Sequence, residues 1–407
     1  MSVGAAWPSL LVHRQWLQHE TERLLAFGAN APNEGGAAWL DDDGMPDPSQ
    51  PVGTWVTARM VHVYAVGHLL GIPGCRPLAQ RALTGLTGPL HDDDHGGWFP
   101  RRDPDGTVAP EKRCYDHAFV VLAATSAAAA GLAGAGAVLD EALTVLGDRF
   151  WDDEAGLFVE AWNADFTRLD DYRGVNANMH AVEALMAAAD ATGDDEWLHR
   201  ASRIAGFVVG QARQHGWRIP EHFGPDWTPD LRYHDDRRDD PFLPYGATVG
   251  HALEWSRLLL HLEAAGASGE QWLEAARSLY AVARQDGWFA DGAPGFVYTT
   301  DWDGTPVVRR RFHWVVAEAV AAAAALAQRT GEAAYEEDYA RWWDYAATSL
   351  IDRERGSWHH ELDSANRPAH TVWRGKPDLY HALQATLIPR LPLAPSLATA
   401  VARGLLR

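Results

Sequence analysis

The sequence predicts an all-α chain closed into an (α/α)6 barrel, with short β-hairpins or extended loops between helix pairs. Three observations carry this. Six alanine- and leucine-rich segments recur at intervals of roughly 60 to 75 residues, more amphipathic segments separate them, and connectors rich in Gly, Trp and Asp follow the amphipathic ones. Helix pairs that cannot bury an apolar face alone are most economically closed into a ring, with inner helices parallel and outer helices antiparallel around them. The whole chain, 1–407, reads as one such domain.

Taken in order, the apolar segments are TWVTARMVHVYAVGHLL from 54, CYDHAFVVLAATSAAAAG from 114, NANMHAVEALMAAAD from 176, GHALEWSRLLLHLEAAG from 250, FHWVVAEAVAAAAALAQ from 312 and DLYHALQATLIPRL from 378. They are poor in charge all round, the mark of helices buried on every side. GDDEWLHRASRIAGFVVGQAR, SGEQWLEAARSLYAVARQ and GEAAYEEDYARWWDYAATSLI carry charge on one face and apolar residues at helical spacing on the other, so they read as outer helices. Connectors such as HGGWFPRRDPDGT and DGWFADGAPGFVYTTDWDGTP place β-prone residues around DG turns, as hairpins require. The stretch 220–246 shows little helical pattern and many charges, and reads as a lid over one end of the ring.

Composition removes several function classes. A net charge of −20 repels phosphate backbones, so no nucleic-acid partner is expected. No stretch approaches the length of uncharged apolar sequence that spans a bilayer, and the N-terminus MSVGAAWPSLLVHRQWLQHE lacks the pattern of a secretory signal, so no membrane partner and a cytoplasmic location are expected. Cys75 and Cys114, the only cysteines, offer neither a disulfide framework nor a thiolate zinc site and read as packed thiols. The 19 tryptophans serve equally as core filling and as platforms for sugar faces.

If the ring closes, every inner helix opens at the same end, and residues three or four apart in the first turns share a face. That face holds Arg59; Tyr115; Asn176 with His180; His251 with Glu254; Trp314 with Glu318; and His381 with Gln384. A polar residue in one first turn is ordinarily a cap or a satisfied core group. Six helices doing this in register point to a pocket at the barrel mouth.

YDHAF at 115, NANMHAVEAL at 176, GHALEWSRLLL at 250 and the Trp314/Glu318 pair resemble motifs of the N-acylglucosamine 2-epimerase superfamily of (α/α)6 barrels acting on sugars, over roughly residues 10 to 395. KPDLYHALQATLIP at 376 is most similar to the aldose–ketose isomerase branch, which holds D-mannose and sulfoquinovose isomerases. The resemblance implies proton transfer beside a sugar carbonyl through an enediol, interconverting D-mannose and D-fructose, with no metal and no cofactor. It implies His251 and His381 as the catalytic acid and base, His381 moving the C2 proton and His251 opening the ring and serving oxygen. Imidazole suits the task because its pKa lies near neutrality. It further implies that Arg59, Tyr115, Asn176, His180, Glu254, Trp314 and Glu318 bind substrate, together with a basic loop residue, Arg238 or its neighbour Arg237; Gln384, which shares a face with His381, is expected to bind substrate by its spacing. The partner is then a monosaccharide, and a homodimer is compatible with it.

Alternatives stay open at this stage: a sugar 2-epimerase of N-acylglucosamine or cellobiose type, a sulfoquinovose isomerase, an (α/α)6 glycoside hydrolase using Glu254 and Glu318, or a non-catalytic sugar-binding barrel. LHDDDHGGW at 90 gathers potential metal donors but sits in a Gly-rich connector and reads as a solvated loop. HHELDS at 359 begins like a zinc-protease motif, with Ser364 where the second His belongs.

Overall fold

A computed structural model describes residues 6–267 and 271–407; Ser268, Gly269 and Glu270, which open the segment SGEQWLEAARSLYAVARQ, lie outside it. The six apolar segments are the inner helices α2 (Thr54–Leu69), α4 (Cys114–Ala129), α6 (Val175–Thr192), α8 (Val249–Ala264), α10 (His313–Thr330) and α12 (Tyr380–Leu387). Outer helices α3 (Cys75–Leu86), α5 (Ala135–Val145), α7 (Asp195–Gln214), α9 (Trp272–Gly287) and α11 (Ala333–Tyr345) alternate with them. The outer partner of α12 comes from the other end of the chain. It is α1 (Leu11–Phe27), joined to α12 by a Thr21–Thr386 hydroxyl pair at 2.7 Å. A short helix, α13 (Leu397–Ala402), packs on α2, α4 and α6. The (α/α)6 barrel is therefore the fold.

The inner helices are buried nearly all round, as their composition requires: α10 runs from Val315 to Ala327 with every residue in the core. None of the described helices is long and apolar enough to cross a membrane. Both cysteines are buried and free.

The entrances explain why six helix starts share one end. Each inner helix except the last follows a two- or three-residue strand whose partner belongs to the next connector: 52–53 with 101–102, 111–113 with 161–163, 173–174 with 222–223, 247–248 with 299–300, and 311–312 with 361–362. The first helical N–H, which has no partner within its own helix, is satisfied the same way. Thr54 donates to Pro100 O, Cys114 to Glu160 O, Val175 to Glu221 O, Val249 to Tyr298 O and His313 to His360 O. Lys376 N to Leu40 O, 2.9 Å, makes the sixth stitch and closes the circle.

The connectors repeat too. At 41–44, 103–106, 163–166, 224–227, 301–304 and 363–366 a tight turn puts its fourth residue at positive φ, donating its N–H to the carbonyl of the first. Glycine fills that position at 44, 106 and 304, where the missing Cβ removes the penalty. Phe166 and Trp227 accept it instead, and the Phe166 ring packs beneath the cations of Lys112 and Arg149.

One expectation is corrected here. LHDDDHGGW is solvated at Asp93, Asp94 and His95 but not throughout: Asp92 is buried and accepts from Lys112 Nζ at 2.8 Å, while His91 bridges Asp93 and Glu141. Lys112 Nζ also donates to Gly96 O. Lys376 repeats the device with Asp352 (2.7 Å) and Gly356 O, and Arg311 holds Asp291. These basic residues lie on or just before the extended entrance to an inner helix, and each pins the loop that follows an outer helix. Replacing Lys112 by Met strands a buried carboxylate and should cost about 3–5 kcal/mol. The denaturant midpoint checks this, with Lys112→Met/Asp92→Asn recovering part of the loss.

Candidate active site

Arg59 on α2 is buried, with its charge matched from two other inner-helix entrances. Nη1 donates to Asp378 Oδ2 at 3.1 Å and Nη2 to the Tyr115 hydroxyl at 3.0 Å, while the rings of Trp55, Phe119 and Tyr380 lie within 4.9 Å of the guanidinium carbon. Burial opposes ionisation of Asp378, but Arg59, His313 and His381 overcome it and leave the carboxyl below its usual value. Burial pushes the Tyr115 phenol up to about 12, so it stays a neutral hydrogen-bonding group.

Two imidazoles stand at the same end, each anchored at Nδ1 by a carboxylate. His251 meets Glu221 Oε1 at 3.0 Å, and His381 meets Glu318 Oε1 at 2.9 Å. A carboxylate oxygen that accepts from Nδ1–H leaves Nε2 as the proton-exchanging atom of each ring, a lone pair when the ring is neutral and a donor when it is protonated. The Trp314 indole packs against both rings, with centroids 5.3 Å from His251 and 5.8 Å from His381. It reaches that position because residue 250 is glycine: a Cβ there would lie 2.3 Å from Trp314 Cζ3. His180 stands 6.4 Å from the His381 ring and 5.2 Å from Tyr115. Burial first, then the charge of Arg59, holds both His180 and His381 well below the ordinary imidazole value, so both are neutral near pH 7.

Beneath the imidazoles lies a buried ionic layer. Arg257 Nε donates to Glu318 Oε2 at 2.8 Å, and its other nitrogens lie 3.5 Å from Glu183 and 3.6 Å from Glu254. Glu183 accepts from the Tyr380 hydroxyl and from Gln384 Nε2. Glu254 is the exception: it is 1% exposed, neither oxygen has a hydrogen-bond partner, and His180 Nδ1 is 3.7 Å away. Burial, then the neighbouring Glu318, drives its carboxyl well above the usual range, which favours the protonated form that can donate. His180, Glu183 and Glu254, and likewise Glu254, Glu318 and His381, bring donor atoms within 4.8 Å of one another. Arg257 supplies among these carboxylates the positive charge that would otherwise draw a cation.

The geometry thus gathers Arg59, Tyr115, His180, His251, Glu254, Trp314, Glu318, His381 and Gln384. Asn176, half-buried in the first turn of α6, keeps a shielded Oδ1 without a partner one turn before His180. Arg238 stands apart: it is half-exposed over the Tyr245 ring, bonded to Asp235 and 3.7 Å from Asp301. Arg237 and Arg232 face Asp240 and Asp235, so none of the loop arginines is left without a carboxylate neighbour. The 220–246 stretch is fastened on both flanks, by Arg310 to Asp239 and by Phe242 edge-on to Trp373.

Sequence reasoning missed Glu221, Asp378, Glu183 and Arg257. Glu183 follows His180 by three and Arg257 follows Glu254 by three, so helical spacing could have found them. Glu221 and Asp378 sit on extended backbone, where no periodicity points to them.

The N-acylglucosamine 2-epimerase (GlcNAc 2-epimerase) family description matches residues 35–385. A D-mannose isomerase of Thermobifida fusca is 54% identical over 401 residues, covering 97% of this chain and 98% of the relative. A D-mannose isomerase of Pseudomonas cannabina pv. alisalensis is 49% identical, covering 98% and 97%. A crystal structure of a D-mannose isomerase superposes with a TM-score of 0.86 at 28% identity, covering 91% of this chain and 96% of that one. With the family description matched across most of its length and relatives this similar, the chain belongs to the N-acylglucosamine 2-epimerase family.

Proposed function

We propose that this chain is an aldose–ketose isomerase interconverting D-mannose and D-fructose in the cytoplasm, with a monosaccharide as its substrate and no nucleic-acid partner. The observation that carries it is the pair of carboxylate-anchored imidazoles, His251 and His381, packed against one indole. The names of the relatives at 54% and 49% identity support the choice of sugar.

In this reading His381 Nε2 takes the C2 proton of the open-chain aldose while protonated His251 gives a proton to O1. The electron pair of the C2–H bond becomes the C1–C2 double bond of an enediol. His251 then removes the O2 proton, His381 returns its proton to C1, and the ketose forms with both imidazoles restored. Neutral Glu254, Tyr115 and Arg59 are the groups suited to donate hydrogen bonds to the oxygens where charge develops. A base must be unprotonated to act, and burial supports this state in His381.

Isotope, binding and rate measurements test the proposal. In deuterium oxide, mannose should yield fructose, with deuterium at C1 to the extent that the His381 proton exchanges before its return; label at C2 of recovered aldose with inverted configuration would mark an epimerase, and no change at all would remove the isomerase reading. His381→Asn should abolish exchange of the C2 hydrogen while leaving sugar binding, measured by calorimetry, nearly intact. Because the His381 pKa is depressed, protonation switches the base off only at low pH, so the acid limb of kcat/KM should lie below pH 6.5; Arg59→Met, which removes a cause of the depression, should move it upward. Gly250→Ala should displace Trp314 and lower kcat/KM by roughly 10- to 100-fold, read alongside the melting temperature to separate misplacement from unfolding.

A further inference from the structure

We propose that Arg257 is a positioning residue that fixes the tautomer of His381 from two hydrogen bonds away. The inference rests on the reading of His381 as the base. His381 Nδ1 and Arg257 Nε address different oxygens of the same carboxylate: Glu318 Oε1 at 2.9 Å and Oε2 at 2.8 Å. Glu318 is 1% exposed, so no solvent can replace either bond. Were Glu318 to take up a proton, it could donate to His381 Nδ1 and turn the ring into the tautomer whose Nε2 carries hydrogen and cannot accept one. Arg257 blocks that outcome, because a guanidinium offers only donors and never loses its charge in a protein.

Arg257 is itself held from behind. Glu183 lies 3.5 Å from Nη1 and accepts from the Tyr380 hydroxyl and Gln384 Nε2, so α6, α8, α10 and α12 all contribute to one chain of contacts: Tyr380, Glu183, Arg257, Glu318, His381. Both ends of that chain lie on the first turn of α12, because Tyr380 and His381 are adjacent. The network therefore reads the position of α12 and sets the base accordingly. His251 has a simpler arrangement: among the described residues Glu221, its Nδ1 partner, makes no side-chain bond to Lys or Arg. The asymmetry fits a base that must begin each turnover neutral at Nε2 and a second imidazole that must lose and regain a proton at oxygen.

The guanidinium also forms part of the wall between the ionic layer and a rear cavity of 40 Å³ lined by His62, Ser126, Glu183, Asp190 and His261. His62 Nδ1 meets Ser126 Oγ, whose own hydrogen goes to Leu122 O. His62 Nε2 is consequently a bare acceptor facing buried space. Truncating Arg257 to Ala joins that space to the layer and leaves room for a free guanidinium ion.

The experiment is nitrogen-15 NMR of histidine-labelled enzyme, with His381 assigned by its loss in His381→Asn, on wild type, Arg257→Lys and Arg257→Met. Wild type should show His381 protonated at Nδ1 and bare at Nε2, Arg257→Met a mixture of tautomers, and Arg257→Lys an intermediate state. In steady state Arg257→Met should lose roughly 10- to 100-fold in kcat with KM changed by less than about threefold, and Arg257→Lys should recover part of the loss. Added guanidinium should restore activity to Arg257→Ala but not to His381→Asn. An unchanged His381 tautomer in Arg257→Met overturns the inference, whatever happens to kcat. If Arg257→Met does not fold, the tautomer is measured in Arg257→Lys, where an unchanged ring overturns the inference equally. The tautomer reading does not depend on which sugar is turned over: a shift in an enzyme inactive on mannose would sink the mannose proposal and leave this one standing.

Discussion

Everything at the mouth depends on one backbone hydrogen bond made at five helix starts and a sixth, just before α12, that closes the ring. The first amide of an α-helix has no partner in its own helix, and a buried amide left unpaired costs more than most side-chain contacts return. Here five inner helices satisfy it from the connector of the next repeat, and Lys376 N to Leu40 O closes the series. The bond fixes the height of each helix start relative to its neighbour. Residues far apart in sequence, such as Arg59 and Asp378, therefore meet within a single layer. The ring has no free edge where the register could slip.

That closure has an electrostatic consequence. Side chains in the first turns are enclosed by the ring, so each charge must find a partner or be neutralised. Arg59 finds Asp378, and Arg257 finds Glu318 and Glu183; Glu254 finds no hydrogen-bond donor and holds its proton. The same burial strips His381 and His180 of theirs. One physical cause thus leaves a carboxyl able to donate, the reverse of its behaviour in water at neutral pH, beside imidazoles held in the accepting form. The pocket needs no unusual residues, only ordinary ones held away from solvent.

How much of this could be read from the sequence depended on periodicity. Segments such as FHWVVAEAVAAAAALAQ identify themselves, because a charge-poor helix of that length has one place to go, and their first two turns hold most of the pocket residues the helices contribute. The sixth outer helix was not legible in place, since α1 pairs with α12 through ring closure and not through sequence proximity. Asp92 was misread because an acidic Gly-rich stretch looks solvated unless its distant partner, Lys112, is known. Glu221 and Asp378 were missed for a related reason: a carboxylate on extended backbone carries no spacing signal, and only the fold brings it to an imidazole or a guanidinium. Arg238 shows the converse. A loop arginine looked available for substrate, yet its own loop supplies Asp235, three residues before it.

The carboxylates also weigh on the rival chemistry. Glycoside hydrolysis needs two carboxyl groups on either side of the scissile bond, one able to give a proton and the other free to attack carbon or to activate water. Glu254 could fill the first role, since it is protonated and unpartnered. Glu318 cannot fill the second as it stands, because one oxygen is engaged by His381 Nδ1 and the other by Arg257 Nε. Glu183 is tied to Tyr380, Gln384 and Arg257, and Glu221 to His251. The groups left free to exchange a proton at the mouth are the Nε2 atoms of His251 and His381, whose Nδ1 atoms are already engaged. Imidazole nitrogens are suited to moving a proton between carbon and oxygen and are poorly suited to breaking a glycosidic bond, so the same ring of helices that could host either reaction is committed here by how its carboxylates are already spent.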